Sequence, residues 1–393
     1  MQSGRKGSLQ PHPMRSFDYQ SLTRLVFGRG KIDSLGELVC ESGASRVLVV
    51  SDPGIVAAGH VQRALDVLNK ENVEVSLFDG VEENPTTVHV QNGLDCARQC
   101  QPDLLIGLGG GSSMDCAKGI NFLYTNGGQM ADYWGVRKAT KAMLPMIAIP
   151  TTSGTGSECQ SFALIADAAT HQKMACGDKK AACRVALLDP QLTISQPLDV
   201  TKATGMDALS HALETYVTRV RTSMSQLFSV QAWHLISSNL LQVVRCPDDI
   251  EAREAMLLGS SLAGLAIENS MLGSTHACAN PLTAHYGITH GVAIGLMLPE
   301  VIRFNGDEVS DLYADLVPRT YKESADNPAE ALAVFVENLR SAIGLPETLI
   351  ECGILKEDIT RLAQEAAKQW TAGFNPRSMD EGHFEAIYHS ACT

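Results

Sequence analysis

At 393 residues the chain exceeds what one hydrophobic core usually supports, so two domains are expected. A net charge of −13 argues against nucleic acid and anionic membrane as partners, because both repel an acidic surface. No apolar run approaches the roughly 20 residues of a membrane span, and eleven scattered cysteines suit buried thiols in a reducing cytoplasm rather than a disulfide framework.

Residues 1–16 contain Ser, Pro and Arg, no acidic residue and no apolar stretch of signal-peptide type. They read as a disordered leader, with Met14 as an alternative start. Short β-branched runs then alternate with helical spacing. Arg46 to Asp52, Val73 to Phe78, Leu104 to Leu108 and Met146 to Pro150 read as strands, with Gln62 to Lys70 and Val88 to Cys100 as helices between them. Strands separated by helices predict a parallel sheet covered on both faces. After Asp189-Pro190 the pattern changes to long amphipathic stretches such as Ser223 to Val244 and Ile250 to Glu268. The expected organisation is an α/β domain over 17–198 and an all-helical domain over 199–393.

Three segments of the first half carry cofactor chemistry. Gly107-Leu108-Gly109-Gly110-Gly111-Ser112-Ser113 joins a buried strand to a helix, so backbone N–H groups and a positive helix end face one point, which suits a pyrophosphate. A tight strand–helix connection uses glycine as well, and the loop comes later than the usual Rossmann fingerprint. Asp52 ends the first clear strand, where a carboxylate accepts from a ribose diol and repels a 2′-phosphate; the same Asp also suits a turn before Pro53-Gly54. Pro150-Thr151-Thr152-Ser153-Gly154-Thr155-Gly156-Ser157-Glu158 adds hydroxyls and amides for a phosphate or a nicotinamide amide.

The second half carries metal chemistry. Asp207 and His211 are one turn apart on one face of a predicted helix, and His276 and His290 bracket a further segment. A carboxylate and three imidazoles suit Fe(II) or Zn(II) with room for a substrate oxygen, although any one of these histidines taken singly is as well explained by packing.

Together the segments Phe27-Gly28-Arg29-Gly30, Asn84-Pro85-Thr86, Gly109 through Lys118, Thr151 through Glu158, Leu188-Asp189-Pro190, Gly205-Met206-Asp207 through His211, His276 through His290-Gly291 and Asn375-Pro376-Arg377 resemble the iron-containing alcohol dehydrogenase family, which includes lactaldehyde reductase and propanediol dehydrogenase. The resemblance covers nearly the whole chain. It implies a dehydroquinate synthase-like fold, with a dinucleotide-binding N-terminal domain, a helical metal-binding C-terminal domain and the active site between them. It implies metal ligation by Asp207, His211, His276 and His290, with iron and in some members zinc. NAD contacts are implied for Asp52, Asn84, Gly110, Gly111, Ser112, Thr151, Thr152 and Lys173.

The chain departs from the family at Asn280, where members commonly carry a histidine in a His-Pro pair. Asn holds a hydrogen bond but shuttles no proton at neutral pH, which leaves water, the cofactor ribose hydroxyl and His285 as routes for the proton, with His285 and Asn280 the candidate catalytic residues. The expected activity is reversible NAD-linked oxidation of a small primary alcohol or diol by a cytoplasmic homodimer. The alternatives are a hydroxyacid–oxoacid transhydrogenase, a lyase in the manner of dehydroquinate synthase, a glycerol dehydrogenase or maleylacetate reductase type, and a non-catalytic NAD-binding regulator.

Overall fold

Aliphatic runs without polar alternation become strands here because helices cover both of their faces. The computed structural model describes residues 15–170, 172–322 and 327–392; the leader expected over 1–16 therefore lies, apart from its last two residues, outside the described residues. In chain order the first half contains β1 (Arg24–Phe27), α1 (Leu35–Glu41), β2 (Arg46–Val50), α2 (Pro53–Ala57), α3 (His60–Lys70), β3 (Glu74–Phe78) and α4 (Thr87–Cys100). It continues with β4 (Leu104–Gly109), α5 (Gly111–Asn126), β5 (Gly135–Val136), β6 (Met146–Pro150), β7 (Phe162–Ala166), β8 (Lys173–Gly177) and β9 (Val185–Leu188).

Six strands form one parallel sheet in the order β1-β9-β6-β4-β2-β3. Every residue of β4 and β6 is buried. Their side chains alternate between two cores: Ile106, Leu108, Ile147 and Ile149 pack with Leu35 and Leu68, whereas Leu105 and Ala148 pack with Val90 and Ile120. From β2 the chain moves to β3 on one side and to β4 on the other, so the topology switches between β2 and β4. Open α/β sheets bind ligands in the crevice at the carboxyl ends of such a strand pair.

β5, β7 and β8 form a second sheet whose β7–β8 pair is antiparallel, an element the alternating pattern does not predict. The second half contains α6 (Leu198–Val217), α7 (Ser223–Arg245), α8 (Ile250–Glu268), α9 (Ser274–Tyr286), α10 (His290–Leu316), α11 (Arg319–Lys322), α12 (Pro328–Ala342), α13 (Ile359–Ala366) and α14 (Glu381–Ser390). No strand follows Leu188 among the described residues, and no helix there is long and apolar enough to cross a membrane.

The two halves meet where the Thr151 to Glu158 loop lies on α8. A Cβ at Gly156 would come within 2.7 Å of the Gly264 backbone, so only glycine permits this approach. Ser261 Oγ donates to the buried Glu158 carboxylate at 2.6 Å, and Ser161 donates through its N–H and hydroxyl to Glu268.

Candidate active site

The cofactor candidates gather at the switch point. Asp52 follows β2 and caps α2 by accepting from Ile55 N at 3.1 Å, while its other oxygen accepts from Ser113 Oγ at 3.0 Å. That bond ties the end of β2 to the glycine loop after β4. Gly109 has φ +149°, and a Cβ there would meet Ser113 Oγ at 2.5 Å. Gly110 is the N-cap of α5, in extended conformation. Side chains at Gly110 and Gly111 would meet Thr152 and Thr155, so this loop and the loop after β6 face each other closely.

Ser112 Oγ accepts from Asn84 N at 3.3 Å, and Lys173 Nζ donates to Asn84 Oδ1 at 3.2 Å. Thr151 Oγ1 and Ser153 Oγ are buried without a hydrogen-bond partner in the protein. A buried unpaired hydroxyl is costly, so both are fitted to receive polar atoms of a bound molecule.

The metal candidates converge from three helices. Asp207 and His211 lie one turn apart on α6, His276 is in the first turn of α9, and His290 opens α10. The Nε2 atoms of His211, His276 and His290 lie 3.3, 3.4 and 3.7 Å from Asp207 Oδ1. The ligand atoms of Asp207, His276 and His290 all fall within 4.8 Å of one another. Ligands held at about 2.0–2.1 Å in a tetrahedron stand about 3.4 Å apart. Asp207 Oδ1 and His276 Nε2 are also buried without a hydrogen-bond partner, as a divalent cation requires of its donors. Asp207, His276 and His290 therefore fit the group, whereas His211 Nε2, though 3.3 Å from Asp207 Oδ1, falls outside that mutual set.

Behind His276, Nδ1 lies 2.5 Å from Glu214 Oε2, and Thr275 N donates to Glu214 Oε1 at 2.7 Å. This carboxylate fixes the ring with Nε2 turned toward Asp207. Burial disfavours charge on His276, but Glu214 and Asp207 outweigh it and raise its pKa to about 9. Burial also opposes ionisation of Asp207, yet the three imidazoles hold it well below the usual carboxylate range. His290 is pushed down to about 3 by its recessed position, with His276, Lys173 and His211 adding to the effect against the pull of Asp207. Its side chain still has 33% of its surface open, against 6% for His211 and His276. The cluster thus opens on the His290 side, which is also the side that feels Lys173.

Asn280 and His285 separate. Asn280 follows His276 by one turn on the same face of α9, and its Nδ2 donates to Gln369 Oε1 at 3.0 Å. His285 is exposed near the end of α9, with Nε2 2.6 Å from Glu365 Oε2. Nine residues at about 100° each turn it to the face opposite His276, about 13 Å along the axis. The geometry does not bring His285 to the cluster, and its partner gives it a role in holding α13 on α9.

Comparison with known proteins places the whole chain in one family. Residues 23–190 match the family model described as iron-containing alcohol dehydrogenase, and residues 201–392 match the C-terminal model of the same family. This chain belongs to the iron-containing alcohol dehydrogenase family. It is 35% identical to 1,3-propanediol dehydrogenase of Klebsiella pneumoniae over 96% of its own length and 99% of the relative's. It is 35% identical to the NAD-dependent methanol dehydrogenase of Bacillus methanolicus, covering 90% and 93% of the two chains. The solved structure of a 1,3-propanediol oxidoreductase superposes with a TM-score of 0.92 at 34% identity, over 96% of this chain and 100% of the other.

Within this alcohol dehydrogenase two polar residues went unread in the sequence. Ser153 stands inside a quoted motif. Glu214 ends the run that begins at Gly205, and its spacing of seven from Asp207 and three from His211 already places it on their face. Changing Glu214 to Gln keeps the shape and removes the charge that orients His276. Metal affinity should fall about 10–100-fold, read by competition with a chelator; parental affinity would remove Glu214 from the site.

Proposed function

We propose that the protein oxidises small primary alcohols or diols reversibly with NAD, using a divalent metal held by Asp207, His211, His276 and His290. The carrying observation is the convergence of three Nε2 atoms on a buried, unpartnered Asp207 Oδ1, open on the side of Lys173. An iron or zinc ion there supplies Lewis acidity that lowers the pKa of an alcohol oxygen. NAD supplies the hydride acceptor.

The chain's own residues bind and orient. The glycine loop at Gly110, Gly111 and Ser112 receives the pyrophosphate at the N-terminus of α5. Asp52 meets the adenosine ribose, Asn84 and Lys173 hold the neighbouring stretch of the cofactor, and the hydroxyls of Thr151, Thr152 and Ser153 face its nicotinamide end. Lys173 has an exposed side chain, yet desolvation at the cluster lowers its pKa against the pull of Asp115, Asp207 and Glu83, and its Nζ donates to Asn84 Oδ1 at 3.2 Å. With Asn280 unable to carry a proton, the alcohol proton leaves through water on the open His290 side.

The organisation into 17–198 and 199–393, and a cytoplasmic homodimer, belong to the same reading. All eleven cysteines are free, and Leu227, Ile350 and Leu355 stand exposed on the helical half.

The test is NADH formation by anaerobically purified protein against short alcohols and diols, before and after metal stripping and restoration with Fe(II) or Zn(II). Metal-dependent NADH is expected; none with any alcohol would overturn the reading in favour of a transhydrogenase. Cofactor choice has its own test. Asp52→Ser retains an N-cap for α2 and drops the negative charge. The ratio of kcat/KM for NADP over NAD should rise at least about tenfold, since about 1.4 kcal/mol of lost repulsion is enough for that. An unchanged ratio would take Asp52 out of the ribose site.

A further inference from the structure

Asn375-Pro376-Arg377 contains no ligand or cofactor candidate, yet its contacts converge on the helices of the metal cluster. The Asn375 amide is 2% exposed, and every donor and acceptor it has is engaged. Nδ2 donates to Asn305 Oδ1 at 2.7 Å and to Arg377 O at 2.8 Å. Oδ1 accepts from Asn305 Nδ2 at 3.1 Å and from Ser274 N at 3.4 Å. The reciprocal pair with Asn305, equally buried, joins the segment to α10. Arg377 strengthens that attachment by donating to Phe304 O at 2.7 Å, with its guanidinium carbon 4.3 Å from the centre of the Phe304 ring. Just before the segment, Phe374 O accepts from Thr218 Oγ1 and Arg219 N, both at 2.9 Å, where α6 ends. One short turn therefore grips α6, α9 and α10, the three helices that carry Asp207 with His211, His276 and His290.

The bond to Ser274 is the one that reaches the cluster. The first N–H groups of a helix find no partner inside it, and at α9 side chains from other segments supply them. Gly273 and Thr275 give their N–H groups to Glu214, whereas Ser274, between them, gives its own to Asn375. His276 is the next residue after these three. A Cβ at Gly273 would come within 3.0 Å of Glu214 Oε1 and 3.2 Å of Asn375 Oδ1, so both side chains close on one peptide. Glu214 orients the His276 ring. Asn375 fixes the backbone from which that ring projects, and fixes it against α10.

We propose that Asn375 is a positioning residue of the metal centre, holding the first turn of α9 so that His276 Nε2 meets the same point as Asp207 and His290. This rests on the metal site of the reading above. An amide suits the task because it donates twice and accepts twice without charge. A carboxylate in its place would lose both donors and add a second buried negative charge near Glu214.

The experiment measures Zn(II) affinity by chelator competition, together with Tm, in the full chain and three variants. Asn375→Ala should lose about tenfold in affinity or more, the scale for removal of a partner behind a metal ligand, and its Tm should fall. Arg377→Ala is the control for stability alone. It removes the guanidinium that braces the turn on Phe304 but spares the Asn375–Ser274 bond, so Tm should fall while affinity stays at the parent's. Should Asn375→Ala not fold, Asn305→Ala removes only the reciprocal bonds and should weaken affinity about fivefold, the equivalent of about 1 kcal/mol of hydrogen bonding. With Co(II) in the site, visible absorption reports ligand geometry, and its bands should shift in Asn375→Ala but not in Arg377→Ala. Unchanged affinity and bands in Asn375→Ala, or affinity that merely follows Tm across all variants, would overturn the proposal and leave Asn375 a brace of the fold. None of these readouts needs turnover. A parent that binds Zn(II) but makes no NADH would overturn the alcohol dehydrogenase reading while the variants still decide this one; a parent that binds no Zn(II) would overturn this proposal.

Discussion

His276→Ala loses its metal on dialysis and its turnover falls at least about a hundredfold to a thousandfold. The substitution removes one of three imidazoles around Asp207 Oδ1. Lost affinity should exceed the roughly 10–100-fold attached to an outer partner, because a direct ligand is gone. Lewis-acid stabilisation amounts to several kcal/mol, and each 1.36 kcal/mol is about tenfold in rate. The variant also strands Glu214, whose buried carboxylate keeps only backbone partners at Gly273 and Thr275 and no counter-charge from His276. An uncompensated buried charge costs about 3–5 kcal/mol, so a lower Tm is expected as well. His276→Gln, which retains a polar group in the space, separates the effects. Metal content by elemental analysis should stay low in both variants, with Tm better preserved in the second. Full metal content in His276→Ala would refute the ligand role outright.

The parts of the molecule legible in the sequence share a physical reason. β2, β4 and β6 are buried on both faces, so their aliphatic runs are unbroken, and α7 and α8 follow clear periodic spacing. β1 and β9 escaped because four-residue strands carry little pattern and pair across the chain, Arg24 with Val185. β8 opens on Lys173, whose charge hides the strand, and its register with β7 runs antiparallel inside an otherwise parallel half.

In the site, Asp207 and His211 were legible because one helix fixes their spacing. His276 and His290 join them only through the packing of α9 and α10 on α6, which spacing does not encode. His285 is close to Asn280 in sequence, but five helical residues turn a side chain well away from its starting face. Gln369 stands 89 residues from Asn280, and nothing in either segment announces the other.

The second large effect comes from a residue with no side chain. Gly291 follows His290 at the start of α10, and a Cβ there would lie 1.9 Å from Ala203 O and 2.4 Å from Ala203 C. Both atoms are backbone of α6, one turn before Asp207, and cannot rotate out of the way. In Gly291→Ala the first turn of α10 must therefore lift from α6, carrying His290 away from Asp207 Oδ1, from which it now stands 3.7 Å. Overpacking of this kind costs about 1–3 kcal/mol or more, against a gain of about 1 kcal/mol from helix propensity. The expected outcome is a lower Tm together with loss of metal at ordinary concentration, since one displacement causes both. Gly295→Ala, one turn further on the same face, is the control. Its Cβ would first meet Met206 Cγ at 3.1 Å and Arg340 Cδ at 3.6 Å, flexible side chains that can give, so Tm and metal content should stay near the parent's. Equal behaviour of the two variants would show that the approach of α10 to α6 does not hold His290 in the cluster.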